Sequence, residues 1–320
     1  MKTIGILTSG GDAPGMNAAI RAVTRVALAR GIRVMGIQRG YKGLINGEVI
    51  EITRNSVSDI IQRGGTVLKT ARSEEFKTAE GREKAASVLK LFGIDGLVVL
   101  GGDGSFRGAQ ILSREYSIKT ICIPCTIDND LAYTNYTIGF DTALNTVVDM
   151  INKLRDTSSS HERVSIIEVM GRNCGDIALY AGIAAGAECV IIPEVEFNFD
   201  SLCRSIIETK LLGKLHYIVV IAEGAGGAQD IAQKIQECTL VQARATVPGH
   251  IQRGGSPSAA DRILATKFGA TAVEALIDGE SQKVIGIFDN KIIHMDIDEA
   301  LDIKKVVDKE LYSLANKLSI

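Results

Sequence analysis

The sequence predicts an α/β fold built on parallel sheets that are covered on both faces. Three observations predict it. Short aliphatic, β-branched runs recur without internal charge, which marks strands that meet no water on either side. Each run ends in glycines or acidic residues and leads into apolar residues at helical spacing, so strand and helix alternate. The chain is 320 residues long with 46% hydrophobic and 23% charged residues, enough for one large core or two smaller ones. A net charge of -2 argues against disorder and against a broad nucleic-acid footprint.

"TIGILTSGGDAPGMNAAIRAVTRVALARG" opens with a buried strand and a turn containing Gly10, Gly11 and Gly15. A helix follows, with Ala19, Ile20, Val23, Val26 and Ala27 on its apolar side and Gly31 at its end. The run before the turn is too short for a signal peptide. "GIDGLVVLGGDGSFRGAQIL" repeats the plan, with a helix expected over "SFRGAQILSREY". Ile121, Cys122 and Ile123 form a strand entering Pro124, and "TIDND" follows almost at once. "DTALNTVVDMINKLRDTSSS" reads as a helix with Ala143, Leu144, Val147, Val148, Ile151 and Leu154 inward, and its polar tail is the expected domain junction. "ERVSIIEVMGRNCGDIALYAGIAAGA" and "HYIVVIAEGAGG" are two further strand-to-turn units. The longest apolar stretch, "IALYAGIAAGAECVII", carries Glu188 and falls short of the roughly 20 residues a bilayer requires. Six sparse, irregularly spaced cysteines agree with a reducing compartment, and a cytoplasmic protein is expected.

In such folds ligands collect at the carboxyl ends of the strands. The residues there include Gly11 and Asp12, Gly101 to Ser105, Thr126 to Asp130, Met170 to Arg172, and Glu223. Glycines, carboxylates and arginines together suit a phosphorylated ligand with a metal ion. "GGDGSFRG" packs glycines at a helix start, where backbone amides and the helix dipole favour an anion; a turn that merely reverses the chain is the plain alternative. Asp103 suits magnesium held through one carboxylate and substrate phosphates. Neither this segment nor "GGDAPGMN" is a P-loop or a G-x-G-x-x-G fingerprint. Asp128 and Asp130 point the same way and need a cation or a proton between them, unless the segment is only an Asx-turn. An aspartate also serves phosphoryl transfer as the base on an attacking hydroxyl. "IQRGGT" at 61–66 and "IQRGGS" at 251–256 repeat one element, either a reused helix-end motif or two arginines presented to one cleft. His161, His216 and His294 have no zinc-binding spacing.

"LTSGGDAPGMNAAIR", "GGDGS", "TIDND", "TIGFDTALNT", "RDTSSSHER", "EVMGRNCGD", "IPEVEF" and "GHIQRGGSP", in order over essentially the whole chain, resemble the bacterial ATP-dependent 6-phosphofructokinases. The resemblance implies two Rossmann-like three-layer α/β/α lobes with mainly parallel sheets and an active site in the cleft between them. The larger, ATP-binding lobe is expected at 1–138 plus 251–302. The smaller lobe, for fructose 6-phosphate, is expected at 139–250 plus 303–320. The implied reaction is phosphorylation of the 1-hydroxyl of fructose 6-phosphate by ATP, giving fructose 1,6-bisphosphate and ADP, a committed and regulated step of glycolysis.

The implied roles fall on matching residues. Asp128 is the base, Asp130 and Thr126 support the attack, and Arg172 and Arg72 neutralise the moving phosphoryl group. Gly11, Arg72, Ser73, Gly102, Gly104 and Ser105 take the nucleotide, with Asp103 on Mg2+. The sugar phosphate falls to Thr126, Ile127, Asp128, Met170, Gly171, Arg172 and Glu223, and to Arg163, Arg244, His250, Ile251, Gln252 and Arg253 near its 6-phosphate. His250 otherwise reads as a satisfied loop histidine. Arg21, Arg25, Arg54, Arg155, Gly186, Glu188, Lys214 and His216 form the implied effector site for ADP or phosphoenolpyruvate, where Leu212 replaces an expected basic residue and weaker effector binding follows.

Arg163 precedes the strand "VSIIEVM" and Arg172 follows it, so about nine residues at roughly 3.3 Å each hold them about 30 Å apart. If both serve one sugar phosphate, one comes from a neighbouring subunit, and the family is typically tetrameric; a solvated surface arginine is the alternative for Arg163. Cys125 stands where ATP-dependent relatives have glycine and pyrophosphate-dependent ones have lysine, whereas Gly104 matches the ATP type. The expectation is that the Cys125 side chain crowds the phosphoryl group or is oxidised. A redox reading of Cys122-Ile-Pro-Cys125 fails because Cys122 lies inside a strand. The competing functions are a catalytically weak regulatory sugar-phosphate-binding protein of this fold and a pyrophosphate-dependent enzyme; a pure binding protein has no need of Asp128 or Asp103.

Overall fold

The computed structural model describes residues 1–318; residues 319 and 320, the end of the span expected for the smaller lobe, lie outside the described residues. The chain divides into two compact units. The first holds Met1–Ile127, Leu131–Thr142 and Arg253–Lys304; the second holds Asp128–Asp130, Ala143–Gln252 and the chain from Lys305.

The chain begins with β1 (Thr3–Thr8), α1 (Met16–Ala29), β2 (Arg33–Ile37), α2 (Gly40–Ile45), β3 (Val49–Glu51), α3 (Ala79–Leu91), β4 (Gly96–Gly101), α4 (Asp103–Tyr116) and β5 (Lys119–Pro124). It continues through α5 (Phe140–His161), β6 (Val164–Val169), α6 (Asp176–Ala184), β7 (Cys189–Ile191), α7 (Phe199–Leu211), β8 (Tyr217–Ala222), α8 (Ala228–Thr239) and β9 (Ala243–Thr246). It closes with α9 (Ala259–Ile277), β10 (Lys283–Phe288), β11 (Lys291–Asp296), α10 (Ile297–Asp302) and α11 (Lys309–Leu318).

The first unit's sheet runs β11-β10-β5-β4-β1-β2-β3. Only its edge strands are antiparallel, β3 to β2 and β11 to β10. Side chains alternate across the sheet as the two-residue period requires. Ile4, Ile6, Val98, Leu100, Ile121 and Ile123 face α1 and α9, while Leu7, Leu97, Val99 and Cys122 meet Tyr41, Phe76 and Phe106 on the other side. Each such aliphatic or aromatic side chain contributes about 1.5–3 kcal/mol on burial. The turn into α1 depends on Gly15, whose φ is 110° and whose added Cβ would lie 2.5 Å from Ile138.

The second unit's sheet, β7-β8-β6-β9, is parallel throughout. Val164, Ile166, Val219 and Ile221 pack with Leu202 and Ile206 of α7 and with Ala232 and Ile235 of α8. "IALYAGIAAGAECVII" resolves into α6, a turn at Gly186, and β7. No described helix is long and apolar enough to cross a membrane.

Three expectations are corrected. α4 begins at Asp103 with Gly102 as its N-cap, so Asp103 belongs to the first helical turn and not to the glycine turn before it. The polar tail of α5 stays helical and is no junction: Ser159 and Ser160 hydroxyls donate to the Arg155 and Asp156 carbonyls (2.9 and 3.0 Å), and the division between units falls at Thr142 and Ala143, at the helix start. The repeated "IQRGG" segments end no α-helix. Gly64 packs on Gly255, where an added Cβ would lie 2.3 Å from the carbonyl oxygen, and the Ser256 hydroxyl donates to Gln62 O at 2.6 Å.

Candidate active site

In the first unit the ends of β1 and β4 are drawn together, because Ser9 N donates to Leu100 O at 2.9 Å. Gly101 is compressed between them; a Cβ there would sit 2.5 Å from Ser105 Oγ and 2.6 Å from Ser9 O. Gly102 and Gly104 differ from it, since a Cβ on either meets nothing within 4 Å. The fold therefore does not require these two glycines, and their small size leaves open space over the amino end of α4. That helix has no side-chain cap, and a helix start leaves its first amides without intrahelical acceptors, so the end is suited to an anion. Asp103 stands exposed there. Among the described residues no three His, Cys, Asp or Glu side chains gather as a metal cluster, so a cation at this end would be held by Asp103 with phosphate oxygens supplying the rest.

The loop after β1 is tied to the segment carrying Arg72 and Ser73 by Thr70 Oγ1, which donates to Gly10 O at 2.7 Å. Arg72 is exposed, and Ser73 Oγ accepts from Phe76 N at 3.2 Å. Gly11 lies against the tip of Arg253: an added Cβ would lie 2.3 Å from Arg253 Nη1, a clash that the flexible arginine could move to relieve. The same guanidinium donates to Asp12 O at 3.4 Å. Arg253 thus stands beside Gly11, while His250, Ile251 and Gln252 fall in the second unit.

Cys125 departs from its expectation. It is 1% exposed and packs with Ile123 and Ile138 in the cluster under α1 and α9. Burial, with Asp261 as a lesser cause, pushes its thiol well above the ordinary value. The strand alternation that turns Ile121 and Ile123 to this face turns Cys125 there too, so it neither crowds a ligand nor offers a thiolate. Cys122 is equally enclosed and all six cysteines are free, so the Cys-x-x-Cys pair has no redox geometry.

In the second unit the carboxyl ends of β6 and β8 carry the other cluster. Gly171 (φ 139°) and Arg172 (φ 54°) turn sharply after β6. Glu223 Oε1 holds that turn, accepting from Arg172 N at 2.7 Å and Gly171 N at 3.2 Å. Gly224 allows it, for a Cβ there would be 2.1 Å from Arg172 O. Met170 N donates to Gln252 Oε1 at 3.1 Å, which brings the segment at 249–252 to the same end.

Asp128 is 1% exposed and its Oδ2 lies 3.3 Å from Arg172 Nε. Arg172 is thus the counter-charge beside Asp128. Between Asp128 and Asp130, Asn129 is left-handed (φ 52°) and its side-chain amide donates to Asp176 Oδ2 at 2.8 Å. Thr126 and Ile127 end the preceding stretch in the first unit, where Thr137 Oγ1 donates to Thr126 O at 2.7 Å.

Arg163 and Arg244 lie elsewhere. Arg163 precedes β6, and Arg244 pairs with Ser165 in the register of β9 on β6, at the amino end of the strand. Four residues of strand, about 13 Å, separate Ser165 from Val169, and Met170 to Arg172 lie beyond it. Arg244 thus stands by Arg163, with which it was expected, and apart from the turn at Met170 to Arg172.

The second unit also gathers most of the expected effector residues. Arg155 Nη2 donates to the carbonyls of Ala185 and Gly186. Glu188 Oε1 pairs with Lys214 Nζ at 2.7 Å and its Oε2 accepts from Ile218 N at 2.6 Å. His216 Nδ1 lies 2.8 Å from Ser159 Oγ, and burial holds its pKa below the ordinary value. Leu212 caps α7 at 87% exposure. Arg21 and Arg25 lie on α1 and Arg54 follows β3, in the first unit.

Sequence reasoning missed Asp176, Lys305 and Asp261. An acidic residue opening an apolar helix after "RNCG" was the available signal for Asp176. Asp261 sits inside α9 and accepts from Gly139 N and Thr142 N, both at 2.8 Å, capping α5 from a distance no sequence pattern shows.

A phosphofructokinase family model matches residues 3–276. ATP-dependent 6-phosphofructokinase of Clostridium botulinum strain Hall is 65% identical over 319 residues, covering all of both chains, and that of Clostridium novyi is 66% identical over the same span. Among solved structures, phosphofructokinase from Saccharomyces cerevisiae superposes with a TM-score of 0.90 at 35% identity; it covers 100% of this chain, which spans 48% of the yeast chain. Pyrophosphate-dependent phosphofructokinase from Marinobacter aquaeolei superposes with a TM-score of 0.86 at 22% identity over 99% of this chain and 91% of that one, a likeness of fold alone.

Proposed function

The chain belongs to the phosphofructokinase family, and on that premise we propose that it transfers the γ-phosphoryl group of ATP to the 1-hydroxyl of fructose 6-phosphate, giving fructose 1,6-bisphosphate and ADP. The observation that carries this reading is the buried Asp128 carboxylate set against the exposed Arg172 guanidinium at 3.3 Å. Asp128 takes the proton of the attacking hydroxyl. Arg172, with Arg72, offsets negative charge on the phosphoryl group in flight, which is where such transfers need the protein most. Thr126 and Asp130 complete the turn around that group.

Nucleotide phosphates are taken by Gly11, Arg72, Ser73, Gly102, Gly104 and Ser105, over the open amino end of α4. Asp103 would hold Mg2+, which would supply charge neutralisation to the nucleotide phosphates. The sugar is held by Met170, Gly171 and Glu223, and its 6-phosphate by His250 and Gln252 with Arg253. Arg163 and Arg244, set together at the amino end of β6, serve the 6-phosphate of a neighbouring subunit, which supports a homotetramer. The ATP-binding lobe, expected at 1–138 with 251–302, corresponds to the first compact unit, and the fructose 6-phosphate lobe, expected at 139–250 with 303–320, to the second, with Asp128–Asp130, Ile251 and Gln252 passing to the second unit and 139–142 and 303–304 to the first. The enzyme works in the cytoplasm as a committed step of glycolysis. ADP and phosphoenolpyruvate act at an effector site between subunits, to which Arg21, Arg25, Arg54, Arg155, Gly186, Glu188, Lys214 and His216 contribute, and more weakly than in relatives with a basic residue at position 212.

Asp128→Asn tests the reading, because it keeps shape and removes proton acceptance. The expected loss in kcat is roughly 10²–10⁴-fold with little change in KM. Near-normal turnover in that variant would sink it.

A further inference from the structure

The turn that carries Asp128 is gripped by one short loop. Residues 172–176 touch it at three places: Arg172 pairs with Asp128, the Cys174 thiol reaches Asn129 O at 4.0 Å, and Asp176 Oδ2 accepts from the Asn129 amide at 2.8 Å. Asn129 is itself 1% exposed and left-handed, a conformation that side chains other than glycine rarely adopt and that asparagine tolerates better than most. Whatever fixes Asn129 fixes the direction of the residue before it.

Asp176 is 6% exposed and opens α6, where the helix dipole favours a carboxylate. The same Oδ2 lies 2.9 Å from Lys305 Nζ, a residue from the far end of the chain. A buried carboxylate without a counter-charge is costly, and Lys305 supplies that counter-charge to Asp176. Asn129, Asp176 and Lys305 have no part in the proton transfer or in charge neutralisation.

We propose that Asp176, with Lys305 as its counter-ion, is a positioning residue for catalysis that locks Asn129 in its left-handed conformation and so aims Asp128 at the hydroxyl it deprotonates. The proposal rests on the reading of Asp128 as the base. A misplacement of about 1 Å at a reacting group can cost about 10²-fold in rate, so a buried hydrogen bond two residues removed has ample leverage.

Steady-state kinetics with ATP and fructose 6-phosphate on the full-length enzyme test it, with wild type and Asp128→Asn assayed alongside. Asp176→Ala should lower kcat by about 10- to 100-fold with KM for both substrates within about twofold, and Asp176→Asn, which can still accept from Asn129, should recover part of the loss. Lys305→Met should lower kcat in the same way, and it carries the test if Asp176→Ala fails to fold. Asn129→Gly supplies the decisive arm, since glycine adopts the left-handed turn without a side-chain tether. In that background Asp176→Ala should cost no further kcat, because the coupled pair acts as one unit. Full additivity of the two substitutions, or lower thermal stability with unchanged kcat in Asp176→Ala and Lys305→Met, would overturn the proposal. An unimpaired Asp128→Asn would instead overturn the reading of the base, and the two failures are thereby told apart.

Discussion

At the scale of single residues, Cys125 shows how far a motif carries and where it stops. Its position in "IPCTIDND" was legible, and so was its departure from the glycine of ATP-dependent relatives. The direction of its side chain was not, because that follows from strand alternation and from what α1 and α9 pack against. The thiol fills the core beside Ile138. Cys125→Gly should therefore lower stability by about 1–3 kcal/mol, through lost burial and added backbone freedom, and leave donor preference unchanged. Chemical denaturation beside a donor assay checks this; a glycine variant of unchanged stability with a changed donor would place the thiol in the active site. Asp128 was legible as a candidate base from residue type and setting, whereas its Arg172 partner needed the turn after β6 to be seen.

The amino end of α4 is the element whose geometry adds most to the sequence. Sequence alone left "GGDGS" open between a phosphate cradle and a chain reversal. The structure separates its glycines: Gly101 is demanded by packing, but Gly102 and Gly104 are not. A glycine that the fold does not need, at an uncapped helix end, is best explained by a ligand. Gly104→Ala should consequently raise KM for ATP about 10-fold or more while leaving thermal stability equal or higher, since alanine within a helix is favoured by about 0.5–1 kcal/mol. Parallel kinetics and thermal melts decide it. An alanine variant with unaltered KM would return this element to an ordinary turn. The strands of both sheets were visible as uninterrupted apolar runs, but the helical continuation of α5 through "RDTSSS" was not. Serines read as polar linker until their hydroxyls are seen bonding back to carbonyls one turn earlier.

For the whole molecule, alternation of strand and helix revealed the class of fold, while the threading of two units by one chain came only from long-range pairing. The chain leaves the first unit for Asp128–Asp130, returns at Leu131, and re-enters it again at Arg253. Such excursions leave no local signature. Arg163 carried the clearest molecular inference from sequence, and Arg244 joins it at the amino end of β6. Arg163→Ala and Asp128→Asn subunits, each inactive alone, should regain activity when reassembled together, because a mixed assembly contains sites with both residues intact. Recovery no greater than the sum of the parts would assign Arg163 to its own subunit. The central claim, ATP-dependent phosphorylation of fructose 6-phosphate, is tested most directly by a coupled assay of the purified protein with Mg2+ and fructose 6-phosphate, comparing ATP with pyrophosphate as donor. The account predicts turnover with ATP and none with pyrophosphate; turnover with pyrophosphate alone, or with neither donor, would contradict it.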